Sequence, residues 1–274
     1  MDDTGYIKAE DYEEPACLLC GDDGAKSIDT RRFISRLDGY YAKKDNDGAE
    51  RHLKYWLAEA ESAGDLRGQF TVYNEMMGFY RKAGRYAEAK EAAKQALGLI
   101  DRLGIGGQAS AGTAYVNTAT VYKTASEPET ALIWFEKAKA VYEVVLGKGD
   151  GRLGGLYNNM ALALSDLKRY DEATGYFEKA IEIMSGVKDG ELEEAISYLN
   201  LADTKEAQLG AEAAEELVSA YLEKAWELFS TPTLVKDGYY AFVCEKSAPT
   251  FEYYGYFAYA NKLKEEAKRI YEGT

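Results

Sequence analysis

A short turn, an aromatic residue and, three positions on, an alanine recur along this chain at a nearly constant interval, which constrains the fold more than any other feature. Gly84-Arg85-Tyr86-Ala87-Glu88-Ala89, Lys168-Arg169-Tyr170-Asp171-Glu172-Ala173 and Gly255-Tyr256-Phe257-Ala258-Tyr259-Ala260 carry the motif, and Ser126-Glu127-Pro128 before Ala131 is a degenerate copy. With the alanine as marker, the series Ala49, Ala89, Ala131, Ala173, Ala214, Ala260 has spacings of 40, 42, 42, 41 and 46. A fixed period of this length marks a supersecondary unit that cannot bury its apolar face alone and must stack on its neighbours. Upstream of each marker, apolar residues step by three and four: Tyr73, Met76, Met77 and Tyr80, then Tyr115, Thr118, Ala119 and Tyr122, then Tyr157, Met160, Ala161 and Leu164. That spacing is one face of a helix. Downstream, Phe135 and Ala138 follow Ala131, and Phe177 and Ala180 follow Ala173. Each period therefore predicts two helices, with alanines where they approach closely and aromatics filling the gap beside them.

This order of residues resembles the tetratricopeptide repeat over about residues 28–274, nearly the whole chain. A period near 42 with Tyr157-Asn158-Asn159-Met160-Ala161 is most similar to the repeats of kinesin light chains. The resemblance implies an all-α fold, a right-handed α-solenoid (superhelix) of about six helix-turn-helix repeats, near 30–63, 70–103, 112–145, 154–187, 195–230 and 237–274. No repeat carries the full consensus, and the first and fifth are the weakest. The first has Leu37 and Tyr40 before Ala49, with Leu53 and Trp56 after it; the fifth has an extended second helix, about 211–229.

Charge narrows the choice of partner. Lys plus Arg number 33 and Asp plus Glu 47, a net charge of −14. Such a surface repels phosphate backbones and anionic lipid, so a neutral or basic protein segment is the expected partner, with no nucleic acid and no membrane. No apolar run approaches the roughly 18 residues needed to span a bilayer. The start Met1-Asp2-Asp3 is acidic where a secretory signal is basic and then apolar. Three cysteines, an odd number, fit a reducing compartment better than a disulfide framework, and a cytoplasmic location is expected. Residues 1–27 are acidic and turn-prone, read as a flexible tail or a strap on the first repeat; helix signals begin at Ser27-Ile28-Asp29-Thr30, a run of capping residues. Gly104-Ile105-Gly106-Gly107 and Gly147-Lys148-Gly149-Asp150-Gly151 mark longer loops, Pro232 breaks the chain before the sixth repeat, and Pro249 is expected to kink that repeat's first helix.

Few residues suggest chemistry. Cys17-Leu18-Leu19-Cys20 has zinc-ligand spacing, but closing a site would require Cys244 and His52, in the last and first repeats. Gly147-Lys148-Gly149-Asp150-Gly151 has no strand before it and no Ser or Thr after the lysine, so it reads as a loop rather than a phosphate cradle. With one histidine no Ser/His/Asp or Cys/His set can be assembled, and His52, followed by Leu53 and Trp56, reads as a surface or packing residue. Carboxylates alternate with Lys and Arg as they do on solvated faces. No enzyme, cofactor or metal is expected. The 23 tyrosines mostly occupy aromatic motif positions, but Tyr253, Tyr254, Tyr256 and Tyr259 are denser than packing needs and suggest an end cap or a sticky contact.

One pattern points to binding. Asn117, Asn159 and Asn200 lie 42 and 41 residues apart, each just before the hydrophobic–small pair of a first helix. The tetratricopeptide resemblance implies that first helices line a concave groove and that this position looks into it. An asparagine side chain carries donor and acceptor together, so it can pair with a peptide backbone whatever the peptide's side chains. The row resembles the asparagine ladder lining the repeat groove of O-GlcNAc transferase. Its neighbours on that face are Asn74, Thr113, Thr120, Lys123, Asn158 and Asp203. Two readings stand open: these amides hold a peptide, or they bond across helices and brace the stack. The expected function is a scaffold or adaptor that binds a partner's peptide segment in the groove. The alternatives are a peptide-sensing receptor whose solenoid changes pitch, its glycine-rich loops acting as hinges, and a self-association module in which 1–27 fills the groove.

Overall fold

In the computed structural model, residues 27–273 are described and contain twelve helices and no strand. They pair in sequence: α1 (Thr30–Ala42) with α2 (Asn46–Ser62), α3 (Leu66–Lys82) with α4 (Tyr86–Leu103), α5 (Ala109–Thr124) with α6 (Pro128–Val145), α7 (Gly151–Asp166) with α8 (Tyr170–Met184), α9 (Glu191–Leu209) with α10 (Ala211–Phe229), and α11 (Gly238–Tyr253) with α12 (Phe257–Glu272). The chain falls into two compact units, one ending at Val141 and the other beginning at Tyr142.

The turn inside five of the six pairs recurs as well. Lys44, Gly84, Ser126, Lys168 and Gly255, each five residues before its marker, all have positive φ, between 55° and 82°. This left-handed residue lets the next N–H reach back to a carbonyl five residues earlier, as in Arg85 to Tyr80 at 2.8 Å, Glu127 to Tyr122 at 2.9 Å and Tyr256 to Phe251 at 2.8 Å. Helix-terminal carbonyls that would otherwise stay unpaired are thereby satisfied. Asp29, in the capping run read from the sequence, accepts from the Arg32 N–H at 2.9 Å; Asp45 caps α2 by accepting from Gly48 at 2.8 Å, and Asp65 caps α3 by accepting from Gly68 at 2.9 Å. Helix α11 runs on through Pro249 to Tyr253.

All six marker alanines are fully buried. Aromatic pairs between the two helices of a repeat give a second, independent register. Tyr115 stacks on Trp134 at 5.9 Å, Tyr157 faces Tyr176 at 5.6 Å, and Tyr198 faces Tyr221 at 6.1 Å. In the first two pairs the second ring lies three residues after Ala131 and Ala173; in the third it lies three after Val218. The fifth marker in packing register is therefore Val218, and Ala214 sits one helical turn too early. The core confirms it, because Val218, Leu222 and Ala225 repeat the spacing of Ala131, Phe135 and Ala138, all buried. With Val218 the beat becomes 40, 42, 42, 45 and 42.

The unit ending at Val141 is filled by Phe33, Leu37, Leu53, Met77 and Ile100, and that beginning at Tyr142 by Phe177, Leu201, Leu222 and Phe251. His52 is a packing residue: it is buried, its ring lies 5.5 Å from Phe33 at 13°, and its Nε2 is 3.0 Å from the Phe33 carbonyl. Burial holds its pKa below the usual histidine value.

Candidate peptide-binding face

Tyr73, Tyr115, Tyr157 and Tyr198 occupy one register position on α3, α5, α7 and α9, and the asparagines follow from it. The next residue is Asn74, Val116, Asn158 and Leu199; the one after is Glu75, Asn117, Asn159 and Asn200. In the first unit the Asn117 Nδ2 donates to Asn74 Oδ1 at 3.1 Å, and Asn74 donates to its own helix at the Phe70 carbonyl, 2.8 Å away. In the second unit the Asn200 Nδ2 donates to Asn158 Oδ1 at 3.0 Å, and the Ser197 hydroxyl shares that acceptor at 3.3 Å. The two pairs have the same geometry, one first helix reaching back to the one before it. Asn159 stands apart and donates to the Gly155 carbonyl of α7 at 2.9 Å.

The remaining predicted residues divide between the units. Thr113 and Thr120 donate to carbonyls of their own helix, Ala109 at 3.1 Å and Val116 at 2.8 Å, and Lys123 is half-buried on the last turn of α5. Asp203, exposed on α9, accepts from the Tyr254 hydroxyl at 3.1 Å. Desolvation pushes its carboxyl upward, the Tyr254 bond opposes this, and the neighbouring Glu206 charge adds to the rise. Asn74, Thr113, Asn117, Thr120 and Lys123 thus share one unit, and Asn158, Asn159, Asn200 and Asp203 the other.

Bracing does not exhaust these amides. A carboxamide offers two N–H donors and an oxygen with two lone pairs. Asn117 and Asn200 each spend one N–H, and neither oxygen has a protein partner among the described residues, although both side chains are half-exposed. The bond that braces the stack also fixes which way the remaining donor and acceptor point.

Several neighbours were not visible in sequence. Glu75 takes the asparagine position in α3; burial first, then the Asp38 charge, raises its carboxyl above the usual range, with Lys82 opposing. Tyr41 beside it is raised by burial, then by Glu75 and Asp38. Thr204 donates to Ser165 at 3.1 Å, and Gln208 to Asp171 at 2.7 Å. The available signal was Ser197, a small hydroxyl where α5 carries buried Ala114. On α11, Tyr239 and Phe242 are exposed, and the Tyr239 hydroxyl donates to Glu193 of α9 at 2.8 Å.

Cys17 and Cys20 lie outside the described residues, and Cys244 is buried in α11, its thiol pushed up to about 11 chiefly by that burial. Among the described residues no three His, Cys, Asp or Glu side chains come together to hold a metal ion, and no helix is long and apolar enough to cross a membrane.

Paired helices on one recurring register, with polar side chains bonded between successive first helices, define a helical-repeat protein. The family model for the tetratricopeptide repeat matches residues 68–143 and 153–225, more than half of the chain, and the chain belongs to that family. Among solved structures it is similar to BtubC (BKLC) from P. vanneervenii, with a TM-score of 0.63 at 20% identity over 72% of this chain and 78% of that one. A putative kinesin light chain from Podosopora anserina with nearly identical TPR-like repeats gives a TM-score of 0.52 at 17% identity, covering 72% and 92%. Pseudomonas aeruginosa pilF gives 0.52 at 15% identity, covering 89% and 92%. These likenesses concern the fold. In sequence, the chain is 32% identical over 111 residues to a Clustered mitochondria protein homolog from Debaryomyces hansenii, a match spanning 40% of this chain and 8% of that relative. Tetratricopeptide repeats are protein-interaction modules, and that much of the function follows from membership.

Proposed function

We propose that this protein is a cytoplasmic, non-enzymatic adaptor that holds a neutral or basic segment of a partner polypeptide on the face formed by its first helices. One observation carries the reading: Asn117 and Asn200 are each fixed by a single bond to the asparagine of the preceding first helix, and each keeps an oxygen and one N–H for a ligand. Fixing a recognition group before the ligand arrives reduces the ordering cost of binding. A peptide backbone presents alternating N–H and C=O groups, and the oriented carboxamide in each unit can pair with both. Asn74, Thr113, Thr120 and Lys123 are assigned to the first-helix face of the unit that holds Asn117, and Asn158, Asn159 and Asp203 to that of the unit that holds Asn200.

The test is capture of native partners by the immobilised protein, followed by affinity measurement for the recovered partner with an Asn159→Ala/Asn200→Ala variant. Loss of about tenfold or more is expected, on the scale of one or two hydrogen bonds left unmade in a complex. Unchanged affinity with an unaltered helical spectrum assigns these amides to bracing alone.

A further inference from the structure

The fifth hairpin departs from the repeat, and the departure builds a cleft. The buried marker follows the register tyrosine by 16 positions in Tyr73–Ala89, Tyr115–Ala131 and Tyr157–Ala173, but by 20 in Tyr198–Val218. The extra residues are helical. Helices α9 and α10 have 19 residues each and are joined by Gly210 alone. At about 1.5 Å per residue, two added residues on α9 and four on α10 carry this hairpin end roughly 3 to 6 Å further out. The next hairpin keeps the ordinary length and turns at Tyr254-Gly255-Tyr256.

Beside that turn lies a cleft of about 400 Å³, lined among others by Glu206, Glu212, Glu215, Val218, Tyr254 and Tyr256. Its walls are held in place: the Tyr256 hydroxyl donates to Ser219 at 3.1 Å, and the Tyr254 hydroxyl lies 2.9 Å from Glu206. Tyr253 donates to the other oxygen of Glu206 at 3.3 Å, so that carboxylate is oriented from two sides. Glu212 lies on the added part of α10 and Glu215 one turn further on, where the other second helices begin; they are exposed, and neither is paired with a cation among the described residues. Among the described residues no basic side chain lines the cleft.

We infer that this cleft takes the side chain of an arginine from a basic partner segment. Its aliphatic stem lies on Val218, its planar guanidinium stacks on a tyrosine ring, and its N–H groups pair with Glu212 and Glu215. An anionic ligand is repelled, and a hydrated metal ion has no aliphatic stem to cover the apolar floor. This site lies on other residues than the asparagine face, so either can fail without the other.

The probe is a fluorescein-labelled Gly-Arg-Gly-Arg-Gly peptide, with the citrulline peptide of the same shape as its neutral counterpart, followed by anisotropy at physiological salt. Saturable binding of the arginine peptide and none of the citrulline peptide are expected. Glu212→Gln/Glu215→Gln should weaken binding about tenfold or more, the scale of lost charge-assisted bonds. Asp101→Asn/Glu129→Gln, which removes the same charge from the other unit, should leave binding unchanged. Equal weakening by both charge-removing variants, undiminished binding by the cleft variant, or no binding of the arginine peptide overturns the assignment.

Discussion

The α3–α4 and α9–α10 hairpins pack on the same register yet turn in different ways. In the first, Gly84 takes the left-handed conformation, the Arg85 N–H closes on Tyr80, and the Arg85 side chain is left pointing back to clamp Glu50 of α2 at 2.6 Å. In the second, Gly210 makes the whole connection at φ 83° and ψ 158°, its N–H bonding to the Glu206 carbonyl at 2.8 Å. Here the tie to the preceding repeat comes before the turn, from Gln208 to Asp171. Four residues are added, yet the next marker follows Val218 by the usual 42. The repeat is therefore held in step by what the helices bury, and the hairpin end can lengthen without moving the next repeat.

The largest effect is expected where the two second helices differ in their cores. Leu222 of α10 is fully buried at the position occupied in α4 by Ala93. Leu222→Ala should cost about 2–5 kcal/mol in urea unfolding followed by circular dichroism. A cost below 1 kcal/mol, the scale of a well-tolerated swap, would break the register placed on Val218. Next comes the turn. Gly210→Ala forces a side chain into a region open essentially to glycine and should cost about 1–3 kcal/mol. Gly84→Ala should cost less, about 1 kcal/mol, because Lys44, Ser126 and Lys168 carry side chains at the same place; equal losses would remove the distinction between the turns.

The polar seam between first helices allows a finer comparison. Asn158→Ala takes an acceptor from both Asn200 and Ser197 and should cost about 1–3 kcal/mol, against about 0.5–1.5 kcal/mol for Asn74→Ala, where one bond between helices is lost. Thermal unfolding of the two variants side by side would decide it. The smallest effect concerns acid. Hydrogen bonds from Arg85 and then Lys54 hold the Glu50 carboxyl down to about 2 from its usual 4.5. A carboxylate lowered in the folded state stabilises above its unfolded pKa, and that contribution disappears as pH falls from about 4.5 through about 2. Glu50→Gln should flatten the melting temperature of the protein over that window relative to the parent.

The period, the helix pairs and most of the core were legible in the chain because burial of small residues at a fixed interval is a one-dimensional signal. Ala214 misled for a physical reason: an added turn brings another alanine onto the buried stripe, and only the Tyr198–Tyr221 contact reveals which one keeps step. The asparagine positions were legible as a series, but their bonding was not, since it pairs neighbouring register positions, Asn117 with Asn74 and Asn200 with Asn158. Glu75 could not be singled out because nothing in the sequence brings Asp38 and Tyr41 beside it.

The Gly210 connection has an evolutionary consequence. A stretch of chain that can grow by one coil of helix while its downstream neighbours keep their seating allows a single repeat to gain a new contact without any other being redesigned. Diversity in such an array can then accumulate at hairpin tips, one at a time, leaving the shared interior untouched.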